Sequence, residues 1–278
     1  MKRGSARSLS VFVLLAAALA AACKNTAAPE KLAGDSASFV KSAKKGQSTI
    51  GIFRPSITTF ALRKSLTVGF SDVSVRFGQA GDMPLAGDWD GNGSVTVGVY
   101  RPSDSTFHLL NKNTDDGSAV VALFGMKGDL PVVGDWDGNG TTTIGIYRPD
   151  NSTFYLRNSN TNGKPDLTVT FGIKGDVPIA GDWDGRGGAS IGVYRPGIST
   201  FFLRNSNMTG KTDFAITLGV NGDVPITGDW DGDGAATIGV YRPGSSTFIL
   251  RNSNTNGDPH AAVTFGSPGD VPVIGSWN

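Results

Sequence analysis

From residue 47 onward, short stretches rich in Val, Ile, Thr, Phe and Tyr alternate with clusters of Gly, Pro, Asn and Asp. One such set reads VPIAGDW (177–183), SIGVYR (190–195), TFFLRN (200–205) and FAITLG (214–219), joined by DGRGG, PGIS and SNMTGKTD. β-Branched and aromatic runs bounded by turn residues predict four strands and three turns. The set recurs. GDWDG begins at Gly87, Gly134, Gly181 and Gly228, with GSWN at Gly275, at intervals of 47 residues. G-[IV]-[FY]-R-P begins at Gly51, Gly98, Gly145, Gly192 and Gly239, with the same spacing. Four short strands per 47-residue unit is the pattern of a β-propeller blade. The prediction is an all-β, five-bladed β-propeller over residues 47–278. The repeat opens on TIGIFR, a second strand, and the sequence closes on VPVIGSWN, a first strand. The C-terminal strand is therefore expected to complete the N-terminal blade, with 271–278 beside 49–54, which leaves no open array edge.

The pattern ahead of the repeats is different. Residues 1–8 are basic and polar, and LSVFVLLAAALAAA (9–22) is apolar but shorter than the ~20 residues of a membrane-spanning helix. Residues 1–22 read as a secretory signal peptide. Cys23, the single cysteine, follows it directly. That placement resembles a bacterial lipoprotein signal and makes Cys23 the candidate lipidation site. Residues 23–46 lack strand alternation and read as a flexible tether. The expected location is extracytoplasmic, on a bacterial envelope or cell surface, with the membrane reached through a lipid anchor only.

Composition sharpens this picture. The acids are 23 Asp and one Glu, and there are 39 Gly. Asp and Gly favour turns and caps, whereas Glu favours helices. The net charge of +1 averages a basic leader and tether with a body of 17 Lys+Arg and 22 Asp over residues 47–278. An acidic body argues against a nucleic-acid partner. A lone Cys excludes an intrachain disulfide framework.

The segment F-G-x-x-G-D-x-P-x-x-G-D-W-D-G-[ND]-G, with its FG pair at Phe77-Gly78, Phe124-Gly125, Phe171-Gly172 and Phe265-Gly266, resembles the FG-GAP/VCBS repeat family. Leu218-Gly219 is the variant copy. The resemblance implies a β-propeller that binds rather than catalyses, often with calcium in the loop between first and second strands. The blade count departs from the seven of integrin α-subunits.

That loop is the sharpest chemical candidate. Calcium takes six to eight oxygens, and alternating Asp and Asn on a Gly-bent loop supply several at one point. Asp229, Asp231 and Asp233 with Thr237 form the fullest set; Asp88, Asp90, Asn92 and Asp135, Asp137, Asn139 are near matches. At Asp182 and Asp184 the fifth position is Arg186, a built-in counter-ion. The aligned first copy has Lys41, Ala43 and Lys45, and the last has Ser276 and Asn278. Lacking a bidentate Glu, any such site would be weak, with a Kd of about 10⁻⁴–10⁻³ M. The alternative is that these Asp residues bond turn N–H groups.

Trp89, Trp136, Trp183, Trp230 and Trp277 are candidate ligand platforms, one per blade, with inter-blade packing as the alternative. The five Arg-Pro pairs are anion sites or structural ion pairs with nearby Asp. The amide-rich RNSNTNG (157–163 and 251–257) offers sugar contacts or a turn. His108 and His260 fall at different phases of the repeat, and near-identical units leave little room for one asymmetric catalytic centre. The expected function is non-catalytic binding or adhesion to a glycan or an envelope or host protein. A multivalent lectin and a structural envelope module are the alternatives.

Overall fold

The computed structural model describes residues 46–277. The expected signal peptide, Cys23, the tether up to residue 45, including Lys41, Ala43 and Lys45, and Asn278 lie outside the described residues. The strands are β1 (Thr49–Arg54), β2 (Thr59–Leu62) and β3 (Val73–Arg76); β4 (Met83–Gly87), β5 (Thr96–Arg101), β6 (Thr106–Leu110) and β7 (Ala119–Leu123); and β8 (Leu130–Gly134), β9 (Thr143–Arg148), β10 (Thr153–Leu156) and β11 (Leu167–Thr170). They continue as β12 (Val177–Gly181), β13 (Ser190–Arg195), β14 (Thr200–Leu203) and β15 (Phe214–Thr217); β16 (Val224–Gly228), β17 (Thr237–Arg242), β18 (Thr247–Leu250) and β19 (Ala261–Thr264); and β20 (Val271–Gly275). One short 3₁₀ turn, Pro196–Ile198, is the only helical element among the described residues.

These strands form five four-stranded antiparallel sheets. Blades 2 to 5 use consecutive strands, and blade 1 has the order β20-β1-β2-β3. The expected closure is therefore present, with Ile50 opposite Ile274 and Gly51 opposite Val273. The inner strands β4, β8, β12, β16 and β20 neighbour one another in a ring that returns to β4. The fold is a five-bladed β-propeller.

Burial follows strand position. The second strand of each blade lies inside its sheet with another blade on each face, and TIGIYR of β9 is buried along its first five residues. The outermost strand alternates, and LTVT of β11 buries only Val169 fully. Alternation marks one covered face and a continuous apolar run marks two. Each core cluster is shared between neighbouring blades. The closing interface packs Ile50 and Ile52 of blade 1 against Ile226, Trp230 and Phe248 of blade 5. In every blade an aromatic of the second strand meets Phe of the third with ring centroids 4.7 Å apart, as for Tyr147 and Phe154.

The repeated G-D-W has a steric basis. A Cβ on Gly134 would stand 2.8 Å from both the Trp136 ring and the Ala189 Cβ. Trp folds back over its own Gly, and only Gly lets the neighbouring blade close on the pair.

Candidate functional site

The Asp loops join first to second strands. In blade 5, Asp229 Oδ1 accepts the N–H groups of Gly232 (2.7 Å) and Asp233 (3.1 Å), and Oδ2 accepts that of Gly234 (3.0 Å). Asp233 Oδ1 accepts Ala235 N–H at 2.9 Å. Gly232 and Gly234 have φ of 71° and 98°, the left-handed conformation that lets the chain wrap the carboxylate. Carboxylate oxygens of Asp229, Asp231 and Asp233 come within 4.8 Å of one another. Burial, then the charges of Asp233 and Asp229, push the Asp231 carboxyl above the usual range. Three crowded carboxylates favour a cation or a proton, and hard oxygen donors suit calcium better than a soft metal.

The other copies share the scaffold. Asp88 accepts the N–H groups of Asn92 and Gly93, and Asp135 those of Asn139 and Gly140, at 3.0 and 2.7 Å in each case. Asn92 and Asn139 each accept an N–H two residues on at 2.8 Å. Asp90 and Asp137 are exposed. In blade 4, Asp182 makes the same two bonds, and Arg186 lies 3.5 Å from Asp184 as an exposed internal counter-ion. The first Asp of each loop thus forms the turn hydrogen bonds, and the third and fifth positions set the local charge.

Two readings need correction. Thr237 does not face the loop. Its hydroxyl is buried and donates to the Gly228 carbonyl at 3.2 Å, as Thr143 does to Gly134 and Thr96 to Gly87. The ninth position has already entered the second strand, so its side chain bridges strands. The five Trp are also not platforms. Trp89, Trp136, Trp183, Trp230 and Trp277 are 1–6% exposed, and the indoles of Trp136, Trp183 and Trp230 donate to second-strand carbonyls at 3.2–3.4 Å. A ring folded over its own Gly and covered by the next blade has no free face.

The Arg-Pro arginines resolve as structural pairs. Arg54, Arg101, Arg148, Arg195 and Arg242 grip Asp270, Asp82, Asp129, Asp176 and Asp223 through two nitrogens, and Arg148 does so at 2.8 Å for both. The bond to Asp129, with its charge, raises the Arg148 pKa against a smaller opposing effect of burial. Each Asp also accepts an N–H from its own loop, as Asp129 does from Met126 at 2.8 Å. Arg148 and Arg195 further lie 4.7 and 4.6 Å from the rings of Tyr155 and Phe202.

RNSNTNG conceals a role its composition did not signal. Arg157 is buried, and its guanidinium donates to the Lys164 carbonyl, to Ser159 Oγ at 2.8 Å and to Thr161 Oγ1 at 3.1 Å. Arg63, Arg204 and Arg251 do the same work in their blades. Asn160 donates across the blade boundary to the Trp89 carbonyl at 3.1 Å and within its own blade to the Thr142 carbonyl at 2.9 Å. Asn162 accepts the Leu123 N–H of the preceding blade at 2.7 Å. Much of the amide content therefore ties blades together, while Asn158 and Asn205 stay exposed. A buried Arg just before a turn of Ser, Asn, Thr and Gly is the signal that could have found this. His108 and His260 lie in separate blades; His108 meets Thr106 Oγ1 at 2.9 Å, and His260 Nδ1 accepts Asn252 N–H at 3.1 Å.

No family model and no curated protein matches the chain. A solved structure of an Agrocybe aegerita lectin, described as concerning specific recognition of non-reducing terminal N-acetylglucosamine, is similar over 78% of this chain and 76% of that one. Sequence identity is 15% and the TM-score 0.38, and a likeness of that size carries no argument about ligand.

Proposed function

We propose that the protein is a non-catalytic recognition or adhesion module of a bacterial envelope, exported by residues 1–22, lipid-anchored at Cys23 and set off from the membrane by the tether to residue 46. The observation that carries this reading is the five-fold equivalence of the ring. The repeated Arg–Asp pairs and Trp side chains serve the framework, and the residues left for a partner lie on loops presented once per blade. Weak contacts repeated on one rigid body gain avidity, which suits a multivalent glycan or protein surface better than a single reaction centre. The FG-GAP/VCBS resemblance points the same way.

Asp229, Asp231 and Asp233 fit a calcium ion, and Asp88, Asp90, Asn92 and Asp135, Asp137, Asn139 offer lesser sites of the same kind. Calcium there would brace the loop against its own charge. A multivalent lectin is the second reading, supported by the exposed amides of Asn158 and Asn205, which lie on equivalent loops of neighbouring blades.

A glycan array and an envelope-protein pull-down, each run with calcium and with chelator, test the reading. Retention of a glycan or an envelope protein is the expected result, and a glycan whose binding weakens in Asn158→Ala and Asn205→Ala makes the protein a lectin. Binding to neither class in either condition would leave a structural envelope module.

A further inference from the structure

The axis of the ring is lined by backbone. The five inner strands enclose a cavity of 450 Å³, and each places Pro at its second position: Pro84, Pro131, Pro178, Pro225 and Pro272. Proline has no N–H, so Pro178 cannot belong to a pair that exchanges both hydrogen bonds with Val193. Pro178, and Ala180 two residues on, therefore turn their backbone groups away from β13. An inner strand has one neighbour in its sheet, so away from it means toward the axis. The Thr227 hydroxyl, which reaches the Ala180 carbonyl from the next blade at 2.9 Å, shows that direction directly.

All five blades share this register. Each turns two carbonyls and one N–H to the axis, because Pro removes the second donor. The wall is thus rich in acceptors and carries no charged side chain, and Pro, Val133 and Ile274 add apolar surface. A second cavity, of 580 Å³, shares Ser48, Ala180, Gly181 and Thr227 with the first and adds the carboxylates of Asp182, Asp229 and Asp233. The axis therefore opens past Thr227 toward the loop of Asp229, Asp231 and Asp233, the most acidic of the four Asp loops.

Such a passage selects its occupant by charge and shape. An anion meets carbonyl dipoles and carboxylates of its own sign. A bare metal ion has no use for the Pro and Ile surface. An ammonium group brings three donors and no acceptor, which matches the excess of carbonyls, and an alkyl stem matches the rest. We propose that the axial channel binds an aliphatic diamine or polyamine, with one ammonium at the Asp229–Asp233 mouth, the stem along the inner strands and the second ammonium among the backbone carbonyls. The mouth shares Asp229 and Asp233 with the loop proposed to hold calcium, so ion and ammonium compete there and the titrations are run in EDTA; the turn amides Asn158 and Asn205 do not line the channel.

Titration calorimetry on the full chain tests this with 1,6-diaminohexane, hexylamine, 1,6-hexanediol and hexanedioate. The diamine should bind, hexylamine at least tenfold more weakly, and the diol and diacid should give no heat. Asp231→Asn with Asp233→Asn, which keeps the Ala235 N–H acceptor, should lower diamine affinity at least tenfold. Ala180→Leu, which narrows the channel, should abolish binding; Ala86→Leu serves if that variant fails to fold, with thermal melting as the folding control. The proposal is overturned if diol and diamine bind alike, if the diamine gives no heat at millimolar concentration, or if a folded Leu variant binds it as well as the parent does.

Discussion

The molecule uses the same residue type in two opposite ways six to eight residues apart in four of its five units. The Asp of G-D-x-P, such as Asp129, has a side chain 1% exposed and is clamped by Arg148 and a backbone N–H. The Asp residues of G-D-W-D-G sit on a loop, and Asp137 lies in the open. What separates them is water. A carboxylate removed from water must be paired and hydrogen-bonded, and that pairing commits it to the fold. A carboxylate left in water costs little and remains available to a ligand. The surplus of Asp over Glu thus has two causes, a structural acid and a loop acid, copied together.

The comparison breaks most sharply at the buried acid. Asp129→Ala strands the Arg148 guanidinium and the Met126 N–H, and is expected to lower unfolding free energy by about 2–3 kcal/mol, less than a fully buried pair would cost because Arg148 is a quarter exposed. Asp137→Ala in the same blade is expected to stay within about 0.5 kcal/mol. Urea denaturation of the two variants gives the contrast directly, and equal losses would erase the distinction.

Most of the framework was legible because repetition exposes it. Equal spacing located the strands, and the phase of the first and last copies located the closure of β1 on β20. Repetition did not reveal which way a side chain faces. Trp183 recurs as regularly as a binding residue would, and only the second blade packed over it shows that it is covered. Thr237 counts as the ninth loop position, yet the strand has begun by then. The axial channel leaves almost no side-chain signal, because its wall is carbonyl groups that acquire a direction only when the ring closes; the five Pro were its one trace.

Within the loop class, Asp229 stands between the extremes. It is half-buried and holds three N–H groups, so Asp229→Ala is expected to cost about 1–2 kcal/mol, in the range of a lost helix cap, and to abolish any stabilisation by calcium. Thermal melts with calcium and with EDTA measure both effects. In the parent, calcium at ten times its Kd should add about 1.4 kcal/mol. Arg186→Asp sharpens the point by giving blade 4 the charge pattern of blade 5. It should be slightly less stable in EDTA and show a larger calcium response. An unchanged response would mean that the Asp229 loop binds for some reason other than its charge.

The smallest effect concerns the proton. Burial and two neighbouring carboxylates raise the Asp231 pKa in the folded chain. An acid whose folded pKa exceeds its unfolded value destabilises the fold while it is ionised. That penalty is full above the folded value, falls as pH drops through it, and is gone below the unfolded value. Asp231→Asn carries no such charge and should be the more stable of the two at neutral pH in EDTA. The gap should close as pH falls through the carboxylate range. Taking the difference between the two proteins cancels contributions of opposite sign from elsewhere, such as Asp104, whose hydrogen bond from Thr106 lowers its pKa. Saturating calcium should reverse the order at neutral pH, because the crowding that penalises the empty loop is what attracts the ion. A gap indifferent to both pH and calcium would show that the three carboxylates do not act together.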